Sequence, residues 1–214
     1  MALTLPVNLR EPEDRPLVLA AEVIQAGGIV VYPTETLYGL GANALHAGAI
    51  QRVRRIKKRD AGKPILVIVP TVQAAERLVV DIRPEARLLM QRIWPGPLTL
   101  VFRASAAVPE ELTQGTHTIG VRVPSSPLCL KLLQLCDCPI TSTSANLSGE
   151  PPARDIEPIR RALAPGVDLY LDGGRLADVL PSTVVDTTTP MLTLLRPGAV
   201  PLAELKALVP GLVS

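Results

Sequence analysis

The chain has 214 residues, 22 Lys and Arg against 20 Asp and Glu, and a formal net charge of +2, which is room for one sizeable domain but too little charge for a dedicated nucleic-acid protein. Apolar residues make up 47% and aromatic residues only 2%; the core must therefore be built from Leu, Val, Ile and Ala, and a base-stacking platform for single-stranded RNA is excluded. The three cysteines, Cys129, Cys136 and Cys138, lack a second cluster at metal spacing, and Glu11, Glu13 and Asp14 precede any apolar stretch, so we expect reduced thiols, no metal site, no secretion signal, no membrane contact and a cytoplasmic location.

Residues 1–14 read as an extended N-terminal arm. Pro16 suits a first helical turn, and Leu17, Val18, Ala20, Ala21, Val23 and Ile24 carry helical spacing until Gly27 and Gly28 stop it. The short apolar run Ile29–Tyr32 then reads as a buried strand. It opens into PTETLYGLG (Pro33–Gly41), read as a loop forming the floor of a small-molecule site, because ligands in α/β folds gather where strands end. The plainer reading is a tight turn in which Thr34 and Thr36 bond their own backbone.

A helix follows Asn43, with Ile50, Val53 and Ile56 inward, then the connector Lys57–Pro64 and a strand over Ile65–Val69. Thr71 caps a helix through about Val80, Pro84 starts another that ends at Trp94, and Trp94–Pro97 turns into the strand Leu98–Phe102. Strands are predicted at Ile119–Val123 and Ile140–Thr143, with a helix over Leu128–Cys136. The tail adds a helix at Ile156–Leu163, strands at Val167–Leu171, Thr183–Val185 and Leu192–Leu195, and a helix at Leu202–Leu208. The alternation predicts an α/β fold with an open, twisted, mixed sheet flanked by helices. We expect one domain over 1–214, with its motif core at about 28–198.

Three constellations can carry chemistry. Between Arg52 and Lys63 seven basic residues face one acid, and Lys57 and Arg59 would share a face of an extended connector, presenting ammonium and guanidinium to phosphate or carboxylate. The plainer reading is a solvated charged surface. Second, Thr141–Gly149 sets four successive hydroxyls, then Asn146 and Ser148, at a strand end, a ring of neutral donors for an anion. No Gly-x-Ser-x-Gly elbow is present, and both histidines, His46 and His117, precede this run, which argues against a Ser-His-Asp hydrolase. Third, Arg122, Ser182 and Arg196 lie at strand ends. An arginine in an apolar strand is costly unless it meets an anion or a carboxylate. No Walker loop or Rossmann fingerprint is present, so phosphate would be held by side chains.

These pieces, in order, resemble the YrdC family, whose members make threonylcarbamoyl-adenylate for the tRNA modification threonylcarbamoyladenosine. The resemblance rests on PTETLYGLG, Lys57-x-Arg59, WPGPLT, GVRVP, SANLSG, STVVD and LRPG, from about Gly28 to Gly198, and it points to the short, single-domain form. It implies a twisted sheet with a basic concave cleft, ATP (with Mg²⁺), L-threonine and bicarbonate as substrates, pyrophosphate as product, and downstream tRNA-transfer machinery as partner. By motif it puts Lys57, Arg59, Ser144 and Asn146 on bicarbonate and the ATP phosphates, Arg196 on the triphosphate, and Thr34, Tyr38, Arg122 and Ser182 in the threonine pocket. Lys63, before Pro64, stands where relatives often carry an uncharged polar residue, which implies altered phosphate contacts. Because the Lys57/Arg59 pair is read as exposed, Lys57→Ala or Arg59→Ala is expected to abolish turnover without harming the fold.

The main alternative is a module that holds double-stranded RNA or tRNA by shape through the Arg52–Lys63 cluster, with direct RNA contact and steep salt dependence. A sugar-phosphate enzyme with a carboxylate-bound metal would need clustered acids after the first strand, where Glu35 stands alone. A hydrogenase-maturation carbamoyl transferase would need accompanying zinc-finger and acylphosphatase segments.

Overall fold

The computed structural model describes residues 2–59, 62 and 64–213. In chain order its elements are β1 (Leu3–Pro6), α1 (Asp14–Gln25), β2 (Val30–Pro33), β3 (Tyr38–Gly41), α2 (Ala47–Lys57), β4 (Val67–Ile68), α3 (Val72–Glu76), β5 (Val79–Val80), α4 (Pro84–Ile93), β6 (Leu98–Ala104), α5 (Glu110–Thr113), β7 (Thr118–Arg122), α6 (Pro127–Cys136), β8 (Ile140–Thr141), β9 (Thr143–Ser144), α7 (Ile156–Leu163), β10 (Leu169–Asp172), β11 (Thr183–Asp186), β12 (Thr193–Arg196) and α8 (Leu202–Leu208).

Three helices start at a residue whose side chain caps them. Thr71 Oγ1 accepts from the Ala74 amide at 3.1 Å, Ser126 Oγ accepts from Cys129 ahead of Pro127, and His46 caps α2 through Nδ1 at 3.1 Å from the Ala49 amide. In α1 the buried residues Leu17, Ala20, Ala21 and Ile24 form one stripe, and this face packs with α6 against one side of the first sheet.

The sheets are mixed, as the pattern of short strands predicts, and the strands divide between two of them. One has the order β1-β10-β2-β3-β9, the other β12-β11-β6-β7-β4-β8, with β5 on β6. The larger core lies between them, contributed by Val31, Tyr38 and Leu40 from the first sheet and Leu98, Leu100 and Val121 from the second. The chain passes from one to the other at β8 and β9, because Ile140 and Thr141 pair with β4 whereas Thr143 and Ser144 pair with β3. Thr141 ties the junction, donating from Oγ1 to Leu40 O and accepting from the Ala42 amide, both at 3.0 Å.

Three expectations are corrected. The second half of Pro33–Gly41 is not loop but β3, which pairs antiparallel with β2 from Pro33↔Tyr38 to Val30↔Gly41. Its glycines have a cause: the Tyr32 ring crosses beneath β3 to donate to Thr141 O at 3.1 Å, and a Cβ at Gly41 would stand 2.6 Å from that ring. The helix begun at Val72 stops at Glu76, and Val79 and Val80 form an edge strand on β6. Lys57, read as the start of an extended connector, is the last residue of α2 and is buried.

Candidate active site

The seam between the sheets is open on one side, and the turns that border it line a cleft of about 290 Å³. The β2–β3 turn contributes Thr34, Thr36 and Leu37, and β3 contributes Tyr38 and Gly39; Arg122 comes from the end of β7, Ser142, Thr143, Ser144 and Asn146 from the β8–β9 crossing, and Ser182 and Arg196 from β11 and β12. Arg59, Leu66, Glu150, Pro152 and Pro181 complete the wall. Eight of the nine residues singled out in the sequence thus meet here. Lys57 does not.

The Lys57 ammonium lies behind the wall. It donates to the carbonyls of Ser144 at 2.5 Å and Asn146 at 2.6 Å, and its own carbonyl accepts from the Ser148 amide at 2.9 Å. The C-terminus of α2 is thereby bolted to the Ser-x-Asn loop from inside, so Lys57 and Arg59 do not share an exposed face. Burial, with the Arg59 charge nearby, lowers the Lys57 pKa to about 8.

Thr34 closes its own turn. Its Oγ1 accepts from the amides of Thr36 and Leu37 at 3.1 Å and donates to Leu37 O at 2.7 Å, so Thr34 lines the cleft while its hydroxyl is engaged in the turn. Tyr38 is similar: its ring forms wall, and its phenol donates to Gly174 O at 2.8 Å and accepts from the Gly173 amide at 3.0 Å.

The cationic side chains are held differently. Arg122 is 3% exposed and makes one long hydrogen bond, to Thr36 Oγ1 at 3.4 Å, with Glu35 Oε2 4.0 Å away and its Nε without a hydrogen-bond partner. Arg196 reaches back from β12 to donate to Ser182 O at 2.8 and 3.2 Å and to Ser182 Oγ at 3.0 Å; Ser182 Oγ also meets Thr99 Oγ1 at 3.0 Å. Partial burial and the Arg122 charge lower the Arg196 pKa, while the residue keeps an exposed surface. Arg59 donates to Pro64 O at 2.8 Å. Asn146 Nδ2 donates to Leu147 O and Glu150 O at 2.8 and 2.6 Å, leaving Oδ1 buried without a partner.

Gly198 explains the LRPG motif. A Cβ there would lie 2.3 Å from Pro181 O and 2.6 Å from the Ser182 carbonyl carbon, so only glycine lets the chain after Arg196 pass this close to the segment carrying Ser182.

Among residues not singled out, Thr36 and Ser142 were within the motifs, in reach of the argument from hydroxyl clustering. Glu150 and Pro152 carried no signal of their own. One arginine of the basic run serves the fold: Arg52 pairs with Asp168 at 2.8 Å and donates to the carbonyls of Gly27 and Gly166. The effect of Lys63 concerns a position outside the described residues. Among the described residues no group of three or more His, Cys, Asp or Glu side chains is placed to hold a metal, and no helix is long and apolar enough to cross a membrane.

The chain matches the Sua5/YciO/YrdC family, described as telomere recombination, over residues 22–198. It is a member of that family. The Sua5/YciO/YrdC chain is 38% identical over 208 residues to a Pyrococcus abyssi protein named threonylcarbamoyl-AMP synthase, covering 97% of this chain and 61% of that one; it spans about three fifths of that relative's length. It is similar to the crystal structure of P. abyssi Sua5 complexed with L-threonine, with a TM-score of 0.92 and 37% identity over 98% of this chain and 62% of that one. Its similarity to E. coli YciO has a TM-score of 0.87 at 29% identity, over 96% of this chain and all of that one.

Proposed function

We propose that this protein is an enzyme, a nucleotidyltransferase that makes threonylcarbamoyl-AMP and pyrophosphate from L-threonine, bicarbonate and ATP, for transfer to tRNA by downstream machinery in the cytoplasm. One observation carries the reading: three guanidinium groups, Arg59, Arg122 and Arg196, converge with the Ser144, Asn146 and Ser182 side chains on one small cleft. That arrangement suits substrates bearing several anionic groups. The names of the P. abyssi relative and of its threonine complex support the choice of substrates.

In this reading Arg122 receives the carboxylate of threonine, beside Ser182, and the turn at Thr34 with the Tyr38 ring shapes the wall around its side chain. Arg59, Arg196, Ser144 and Asn146 take the bicarbonate and the phosphates. The threonine amine forms an N–C bond with the bicarbonate carbon, and water leaves; a carbamate oxygen then attacks the α-phosphorus of ATP, whose bond to the β-phosphate bridging oxygen breaks to release pyrophosphate. The protein's part is to hold the reactants together and neutralise charge. Mg²⁺ is read as part of the MgATP substrate, on the phosphates.

Pyrophosphate release tests this directly. It is expected only with ATP, Mg²⁺, L-threonine and bicarbonate together; release that ignores threonine or bicarbonate refutes it.

A further inference from the structure

Glu35 lies between two residues that line the cleft, Thr34 and Thr36, but does not line it itself. The turn closed by the Thr34 hydroxyl sends it behind the wall, where Oε1 accepts from the Ser125 amide at 3.2 Å. Ser125 is three residues beyond Arg122, on the segment leading into α6. Glu35 thus fastens the β2–β3 turn to the chain that follows β7, and Oε2 faces the Arg122 guanidinium 4.0 Å away.

That pair is open. Glu35 Oε2 and Arg122 Nε are both buried without a hydrogen-bond partner, and the side chains are 18% and 4% exposed. A buried guanidinium whose Nε has no partner is costly, and the Arg196 charge lies close by. A carboxylate fixed at this distance offsets part of that charge without occupying the fork, leaving donors for a second carboxylate that arrives from the cleft.

Resting on the proposed function, we infer that Glu35 is a positioning residue for amino-acid recognition: from behind the wall it sets the orientation and charge of Arg122, and it acts on the substrate carboxylate only through that guanidinium. Its effect is therefore specific to the amino acid. The nucleotide side of the cleft, around Arg59, Ser144 and Asn146, does not depend on it.

The test is a double-mutant cycle on L-threonine binding by calorimetry, with the wild type, Glu35→Gln, Arg122→Lys and the double variant, alongside the KM for ATP of each active protein. Glutamine keeps an acceptor for the Ser125 amide and removes the charge. Glu35→Gln is expected to weaken threonine binding roughly tenfold and to add less than about twofold once Arg122 is lysine; the KM for ATP should stay near wild type, while the melting temperature falls because the buried Arg122 charge loses its counter-charge. Equal effects in both backgrounds, an equal rise in the KM for ATP, or no loss in Glu35→Gln overturns the inference. If the wild type binds no threonine, the proposed substrate fails, and this role fails with it.

Discussion

Lys57, the last residue of α2, donates its ammonium to the carbonyl of Asn146 at 2.6 Å, with the Ser144 carbonyl at 2.5 Å as a second acceptor. The lysine of the Lys-x-Arg motif thereby builds the loop on which the Ser-x-Asn residues stand. Lys57→Met removes both bonds and leaves two carbonyls facing an apolar side chain. Loss of the buried charge returns some desolvation energy, but those carbonyls cannot reach water, so we predict a net destabilisation of about 1–3 kcal/mol in urea unfolding, together with loss of activity. This differs from the expectation of an intact fold; unchanged stability would show that the Lys57 bonds do not hold the Ser-x-Asn loop.

The pH dependence follows from the same burial. The Lys57 pKa is lowered from 10.5 to about 8, so between those values the unfolded chain binds more protons at this residue than the folded one, and the stability it contributes rises with pH. That contribution is complete above about 10.5 and is lost as pH falls through about 8. Cys129, whose thiol burial pushes up to about 12, acts in the opposite sense in any variant. The difference in unfolding free energy, wild type minus Lys57→Met, is therefore the quantity to follow. It should increase from pH 8 to pH 10; a flat or falling difference contradicts the assignment.

Gly198→Ala adds a methyl group where the nearest atoms are Pro181 O and the Ser182 carbonyl carbon, at 2.3 and 2.6 Å. Backbone must move, so we predict a loss of about 1–3 kcal/mol by chemical denaturation. A raised KM for L-threonine should accompany it, since Ser182 shifts with its backbone. A variant as stable as wild type, with unchanged KM, would show that this approach is looser than described.

Arg196 donates from Nε and Nη2 to Ser182 and lines the cleft. Arg196→Gln is expected to raise the KM for ATP on the order of tenfold or more, as befits a lost charge-assisted hydrogen bond. The KM for L-threonine should move less. A larger threonine effect would reassign the two halves of the cleft.

The site was more legible than its internal wiring. Thr34, Arg59, Arg122, Ser144, Asn146, Ser182 and Arg196 sit at strand ends or loops with few reasons to be polar there, and the cleft collects all of them. Which atoms face a ligand was not legible, since a lysine two residues from an arginine looks the same whether it is exposed or folded under a loop. Only the end of α2 at Lys57 and the left-handed conformation of Lys58 (φ 48°) decide that. Strand β3 was hidden because YGLG has poor strand propensity. It is held by its pairing with β2 and β9, and its glycines leave the space that the Tyr32 ring fills. The division into two sheets was equally hidden, since it hangs on one residue, Ser142, whose amide turns to Leu66 O at 2.9 Å between two two-residue strands.

Mass spectrometry of the product formed from ¹³C-bicarbonate, L-threonine and MgATP tests the central claim most directly. The account predicts an adenylate that contains threonine and one ¹³C atom, formed in step with pyrophosphate. Pyrophosphate accompanied by threonyl-AMP without ¹³C, or by AMP alone, would contradict it.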